Sequence, residues 1–211
     1  MLYNTSCFTV AFAGLFGATT ISHAAIVYSQ TVNLAIPVAS PGLYLNIQTG
    51  ASGTSAAAVP GWDINVGGTS SLNFSTPGGY NFVRLNTAAP TAGPSNLIEG
   101  FNVSVNPTFM PTASWIAGGA ASGLTLNSTE NYIGFQFTVS GGTGGTGGTT
   151  HVGYLRLSIG SSVTGADRKI VSYAYNDQPI TTDLGRSIIV PAPGALAMLC
   201  GAGVLAKRRR R

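Results

Sequence analysis

Residues 131–159 read NYIGFQFTVSGGTGGTGGTTHVGYLRLSI. Ile133, Phe135, Phe137 and Val139 fall on one side of an extended chain, and Gly134, Gln136 and Thr138 on the other. Further along, Leu155, Leu157 and Ile159 alternate in the same way with Tyr154, Arg156 and Ser158. A period of two with one apolar face marks a half-buried antiparallel strand. The run between them, Gly141–Thr150, is low-complexity. Glycine supplies the backbone conformations a reversal needs, so the stretch predicts two strands joined by a flexible hairpin loop. A glycine-rich loop can also cradle phosphate, but that needs a helix and a lysine directly after it, and neither follows here.

The same alternation recurs outward from this hairpin. Leu43, Leu45 and Ile47 oppose Tyr44, Asn46 and Gln48; Trp62, Ile64 and Val66 oppose Asp63 and Asn65; Phe101, Val103 and Val105 oppose Asn102 and Ser104. Segments 26–32, 70–74, 80–85, 169–175 and 187–190 are further strand candidates. About ten short strands punctuated by Gly, Pro, Asn and Ser, with no strong amphipathic helix, predict an all-β domain. Its expected form is an antiparallel two-sheet sandwich or jelly roll over residues 25–189. Residues 86–96 and 106–129 are expected to loop over the sheet edges, with a short helix possible near Ser114–Ala121.

The net charge of +4 is unevenly placed. Five cations, Lys207 to Arg211, end the chain, and the body holds Arg84, Arg156, Arg168, Lys169 and Arg186 against Asp63, Glu99, Glu130, Asp167, Asp177 and Asp183. A nearly neutral body has no clustered cations to displace counterions from a phosphate backbone, which excludes nucleic-acid binding. The two cysteines, Cys7 and Cys200, lie near the two ends, so the body has no disulfide or thiolate chemistry. About 165 residues can bury an adequate core without such staples.

Residues 1–24 fit a secretory signal: Phe8–Ala18 is an apolar core, and Ser22 and Ala24 are small residues where a signal peptidase inspects the chain. Cleavage is expected between Ala24 and Ala25. At the other end, residues 190–211 read VPAPGALAMLCGAGVLAKRRRR. Ile188–Ala206 carries no charge, and about 19 helical residues approach the thickness of a bilayer's hydrocarbon core. The cations beyond it would stay cytoplasmic, which puts everything before Val190 in the other compartment. Pro191 and Pro193 resist helix and favour an extended backbone that a protease can grip.

This tail resembles the exosortase-recognised sorting signal of the PEP-CTERM type, in its VPAP variant. The residues that carry the likeness are Val190, Pro191, Ala192 and Pro193, the apolar stretch Gly194–Ala206, and Lys207, Arg208, Arg209, Arg210 and Arg211. The usual motif has Glu where Ala192 stands, which leaves the subtype of processing enzyme open. The likeness covers about a tenth of the chain. It implies a bacterial host with an exosortase-type membrane protease and an extracellular polysaccharide system. In the body, 131–137 (NYIGFQF), 150–157 (THVGYLRL) and 171–176 (VSYAYN) are similar to paired strands of small exported proteins with this tail, which implies no activity.

No catalytic, cofactor-binding or metal-ligating constellation stands out. His151 is the sole histidine after signal removal and is expected to cap or flank a strand. A hydrolase would need it between a carboxylate and a hydroxyl. Asp63 with Asn65, or Asp177 with Asp183, could offer oxygens to calcium, but calcium takes six or more. Zinc lacks its Cys/His cluster. Trp62, in phase with Ile64 and Val66, is expected in the core, which leaves Trp115 as the candidate ligand contact.

The sequence therefore predicts an exported, non-enzymatic cell-envelope or extracellular-matrix protein. Its expected partners are signal peptidase, an exosortase-type protease, the membrane through its C-terminal helix before processing, and extracellular polysaccharide. The rivals are a carbohydrate-binding module for matrix polysaccharide, acting through Trp115, and a plain C-terminally anchored surface protein that is never cut.

Overall fold

The computed structural model describes residues 26–77, 82–83, 85, 93–103, 109–110, 113–116, 123–139, 148–177 and 188–191. The signal segment with its cut at Ala24–Ala25, most of the Gly-rich run, and the tail from Ala192 onward lie outside the described residues. The strands, in chain order, are β1 (Ile26–Tyr28), β2 (Leu34–Ala35), β3 (Leu43–Leu45), β4 (Ser52–Gly53), β5 (Ile64–Gly67), β6 (Ser71–Ser75), β7 (Phe82–Val83), β8 (Asn96–Leu97), β9 (Asn102–Val103), β10 (Phe109–Met110), β11 (Ala113–Ile116), β12 (Ser128–Val139), β13 (Thr149–Ile159), β14 (Arg168–Asn176) and β15 (Ile188–Ile189). One 3₁₀ turn, Ala56–Ala58, is the only helical piece among the described residues. The chain is all-β, in antiparallel sheets.

β12, β13 and β14 form the central meander. Ile133 pairs with Leu155 and Phe137 with His151, and Leu155 pairs in turn with Tyr173. This is the hairpin expected from residues 131–159. Around it stands an eight-stranded sheet in the order β1-β14-β13-β12-β7-β10, with β2 added to β14 and β8 to β12. A second sheet of five strands runs β11-β6-β5-β3-β4. One core cluster joins the two: Ile133, Phe135, Phe137, Leu155 and Leu157 from the large sheet meet Leu43, Leu45, Ile64, Val66 and Phe74 from the small one. Within each strand these are the alternate apolar positions that the period of two singles out.

Two sequence expectations fail here. Ala113–Ile116 is a strand, with Trp115 opposite Leu72, where a loop and a short helix were expected. Trp and Ile favour the pleated surface, and pairing with β6 satisfies their backbone groups. The central strands are also not merely half-buried. Tyr132, Val152, Tyr154 and Ala174, on the face opposite the main core, form a second apolar cluster with Val83, Leu97, Val103, Ile188 and Val190. The two-stranded ladder β9–β15 lies over β13 and makes this third layer. Gly134 lets it approach: a Cβ there would stand 2.6 Å from Val83 Cγ2, 2.9 Å from Leu97 Cδ1 and 3.1 Å from Val103 Cγ2.

Arg168 is the largest fully buried side chain. Its Nε donates to Ile36 O at 3.2 Å, Nη1 to Val163 O at 2.8 Å, and Nη2 to Gly68 O at 2.6 Å and to Pro37 O. The guanidinium thus ties the segment after β2, the β5–β6 turn and the β13–β14 loop to β14. Burial pulls its pKa below the ordinary arginine value. Carbonyl dipoles, rather than a carboxylate, offset the loss of hydration.

Candidate functional site

The β3–β5 pair of the small sheet builds the most developed surface. Asn46 ends β3 and closes its loop: Oδ1 accepts the N–H groups of Gln48 at 3.1 Å and Thr49 at 2.9 Å. Its Nδ2 donates to Gly61 O at 2.7 Å and to Pro60 O at 3.3 Å, which binds that loop to the turn ahead of β5. Gly61 takes a φ of 66°, a conformation open to glycine. Trp62 N–H then donates to Val59 O at 3.1 Å, and Asp63 N–H to Leu45 O at 2.9 Å. Trp62 therefore belongs to a turn, and the strand phase starts only at Ile64.

The indole is half-buried and lies edge-on to half-buried Tyr44, with ring centroids 4.9 Å apart and planes at 81°. This corrects the expectation that Trp62 joins the core. Tyr44 pairs across the strands with Asn65, and Asn65 pairs on its other side with Ser75. Ser75 Oγ donates to Asn65 Oδ1 at 3.3 Å, while Asn65 Nδ2 is buried with no protein partner. Asp63 Oδ2 accepts the Ile47 N–H at 2.8 Å. Burial pushes the Asp63 carboxyl up to about 6, with that hydrogen bond opposing the shift. Aromatic faces, an amide and hydroxyls on one sheet surface can stack on a sugar ring and bond its rim. The clue in the sequence was Pro60-Gly61, a turn directly before Trp62.

The remaining sequence candidates are dispersed. Trp115 sits in β11 at the far edge of the same sheet, a strand position whose register partner, Leu72, is fully buried. His151, in β13, is buried: Nδ1 lies 3.0 Å from Asn176 O and Nε2 3.0 Å from Thr149 Oγ1. A carbonyl can only accept, so Nδ1 carries the proton. Where a hydrolase would place a carboxylate on Nδ1, this ring meets a peptide carbonyl. Asp183 lies outside the described residues. On the large sheet, Arg156 pairs with Glu130, and Tyr132 Oη donates to Glu130 at 2.7 Å. Burial pushes the Glu130 carboxyl up, but the bonds from Tyr132 and Arg156 and the Arg156 charge outweigh it and hold it below the usual range. A polar hollow of about 300 Å³, lined by Asn127, Thr129, Ser158, Asp167 and Lys169 among others, contains no aromatic ring.

At the sorting motif only Val190 and Pro191 are described. Val190 is buried; its N–H donates to Phe101 O at 2.9 Å, and its carbonyl accepts the Gly100 N–H at 3.0 Å. Pro191 is half-buried; Ala192, Pro193 and Lys207–Arg211 lie outside the described residues. Among the described residues there is no cluster of three metal-ligating side chains, and no helix long and apolar enough to cross a membrane. No family model, curated protein or solved structure matches the chain.

Proposed function

We propose that this is an exported, non-enzymatic β protein of the cell envelope or extracellular matrix, with a two-sheet sandwich carried between an N-terminal signal and a C-terminal exosortase-type sorting tail. The observation that carries it is the ordered tail: prolines, the uncharged apolar stretch Gly194–Ala206, then five cations. Ile188–Val190, expected to open that stretch, belong instead to the β domain, which shortens the part left for lipid. Each part has its own physical task, namely an extended backbone for a protease, placement in lipid and orientation across it. Val190, where the motif begins, is bonded into the β domain through its N–H and its carbonyl.

Mass spectrometry of the mature C-terminus tests this. A terminus near Pro193 is the expected result. An intact Arg211 on a membrane-bound chain would leave the plain anchor, and full-length chain dissolved in cytosol would end the proposal. Deleting Lys207–Arg211 should leave the protein mislocalised.

A second role is favoured by one feature of the small sheet, the half-exposed Tyr44–Trp62 pair. It is retention of matrix polysaccharide by this face, in place of Trp115.

A further inference from the structure

We infer that the turn Ile98–Phe101, with Ile189 beside it, is a lipid-contacting edge on which the domain stands against the bilayer. This rests on the tail being a membrane segment. It adds which side of the domain faces lipid and how close that side lies.

The first ground is the missing spacer. Val190 is clamped into the fold through both of its backbone groups, and the apolar stretch opens at Gly194. Four residues, even fully extended, reach about 14 Å. The headgroup zone of one leaflet takes up roughly 5–8 Å of that. The edge that holds Val190 therefore stays within about 6–9 Å of the headgroups, even at full extension, once the tail is inserted.

The second ground is what occupies that edge. Gly100 N–H donates to Val190 O, and Phe101 N–H donates to Ile98 O at 3.1 Å, so the turn is bonded directly to the exit point. Ile189 precedes Val190 and pairs with Asn102. Ile98 is 75% exposed and Ile189 57% exposed, the two most exposed large apolar side chains among the described residues. Both flank the place where the chain departs for the membrane. Single exposed apolar residues are ordinary. Two at the one point that a tether holds against lipid make an interfacial contact, acting as a second, weak membrane signal beside the tail.

Glu99, also exposed, sits between them in sequence and fixes the depth. A carboxylate is costly in hydrocarbon, so the turn reaches the headgroup boundary and no further. The small sheet, with the Tyr44–Trp62 face, lies on the other side of the large one from the β9–β15 ladder. At about 10 Å per packed layer, it points away from the membrane.

The test uses the full-length chain in phosphatidylethanolamine/phosphatidylglycerol vesicles containing brominated lipid. Cys7→Ser and Cys200→Ser provide the background, and a bimane label is placed at Ile98→Cys, at Ile189→Cys or, on the β3 loop, at Gln48→Cys. Flotation with the vesicles is the first readout. Labels at 98 and 189 should then be quenched at least about threefold more than the label at 48. If the chain floats but the three labels quench alike, the lipid-contacting edge is wrong and the tail stands. If the chain does not float, the membrane tail itself fails and this inference goes with it. Ile98 and Ile189 are exposed, so neither substitution disturbs the core.

Discussion

Val190 and Phe101 are joined by a backbone hydrogen bond of 2.9 Å, which builds the first residue of the VPAP motif into the folded domain. Address and cargo overlap by one buried side chain. Cutting near Pro193 leaves this joint whole, whereas cutting ahead of β15 would strip Ile188 and Val190 from the cluster that covers Tyr132, Val152, Tyr154 and Ala174. A chain ending at Pro193 should therefore unfold at the same urea midpoint as the full domain. A chain ending at Ser187 should lose about 3–5 kcal/mol, since two fully buried aliphatic side chains go and their partners are bared. Equal midpoints for the two truncations would show that β15 is a passive passenger.

Arg168 is the internal counterpart of that joint. Its four carbonyl acceptors lie up to 132 residues away from it in sequence. Arg168→Met keeps the stem and removes the donors, so buried carbonyls lose partners at about 1–3 kcal/mol each where water cannot replace them. We expect a loss of about 3–5 kcal/mol. Arg168→Lys, which cannot reproduce the planar fork, should lose roughly half as much. Urea unfolding followed by tryptophan fluorescence measures both. Stability unchanged in Arg168→Met would mean that the carbonyls find water.

Much of the sheet was legible, but beyond the β12–β13 hairpin its pairing was not. Ile133, Phe135 and Phe137 lie on the core face because a period of two is a property of any extended chain, whatever its neighbours. The second buried face was hidden because Tyr132, Gly134 and Tyr154 count as neither plainly apolar nor polar. Only the β9–β15 ladder, brought in from distant sequence, decides their burial. Trp62 was misplaced because parity was extended backward through Pro60-Gly61, where the chain turns. Arg168 entered only the charge balance of the body, since its carbonyl partners are a tertiary fact. The small-sheet face was therefore missed as a site, although Tyr44 and Asn65 were both read correctly as positions opposite the core.

Asp63 gives the domain a pH signature. Its folded pKa, pushed up to about 6 by burial, exceeds the ordinary 3.8, so the folded state holds this proton more tightly than the unfolded state. Stability from this group is complete below about pH 4, falls as pH rises from about 4 to about 6, and is level above that. Allowing for the solvent that reaches the carboxyl, the fall is about 1–2 kcal/mol. Asp63→Asn keeps an acceptor for the Ile47 N–H and removes the titration. Urea midpoints at pH 4.5 and pH 7 should differ less in Asp63→Asn than in the parent, with the variant the more stable of the two at pH 7. A variant with the same pH slope would acquit Asp63. Glu130 works in the opposite direction: its pKa is lowered in the folded state, so the stability it contributes is lost as pH falls.

The Tyr44–Trp62 face makes the sharpest functional prediction, because it separates binding from folding. Trp62 is half-buried against Tyr44, so Trp62→Ala should cost about 2–4 kcal/mol of stability, from the buried area of the indole together with the aromatic pair. If a pyranose stacks on this ring, the same change removes most of its apolar contact, and retention in affinity gels cast with the host's matrix polysaccharide should weaken about tenfold. Tyr44→Ala should weaken retention less. Asn65→Ala removes a buried Nδ2 that lacks a protein partner, and should slightly stabilise the domain while leaving retention unchanged, since that atom offers a ligand no surface. If Trp62→Ala binds the polysaccharide as the parent does, the face is a packing solution and the saccharide role falls, with the sorting tail unaffected.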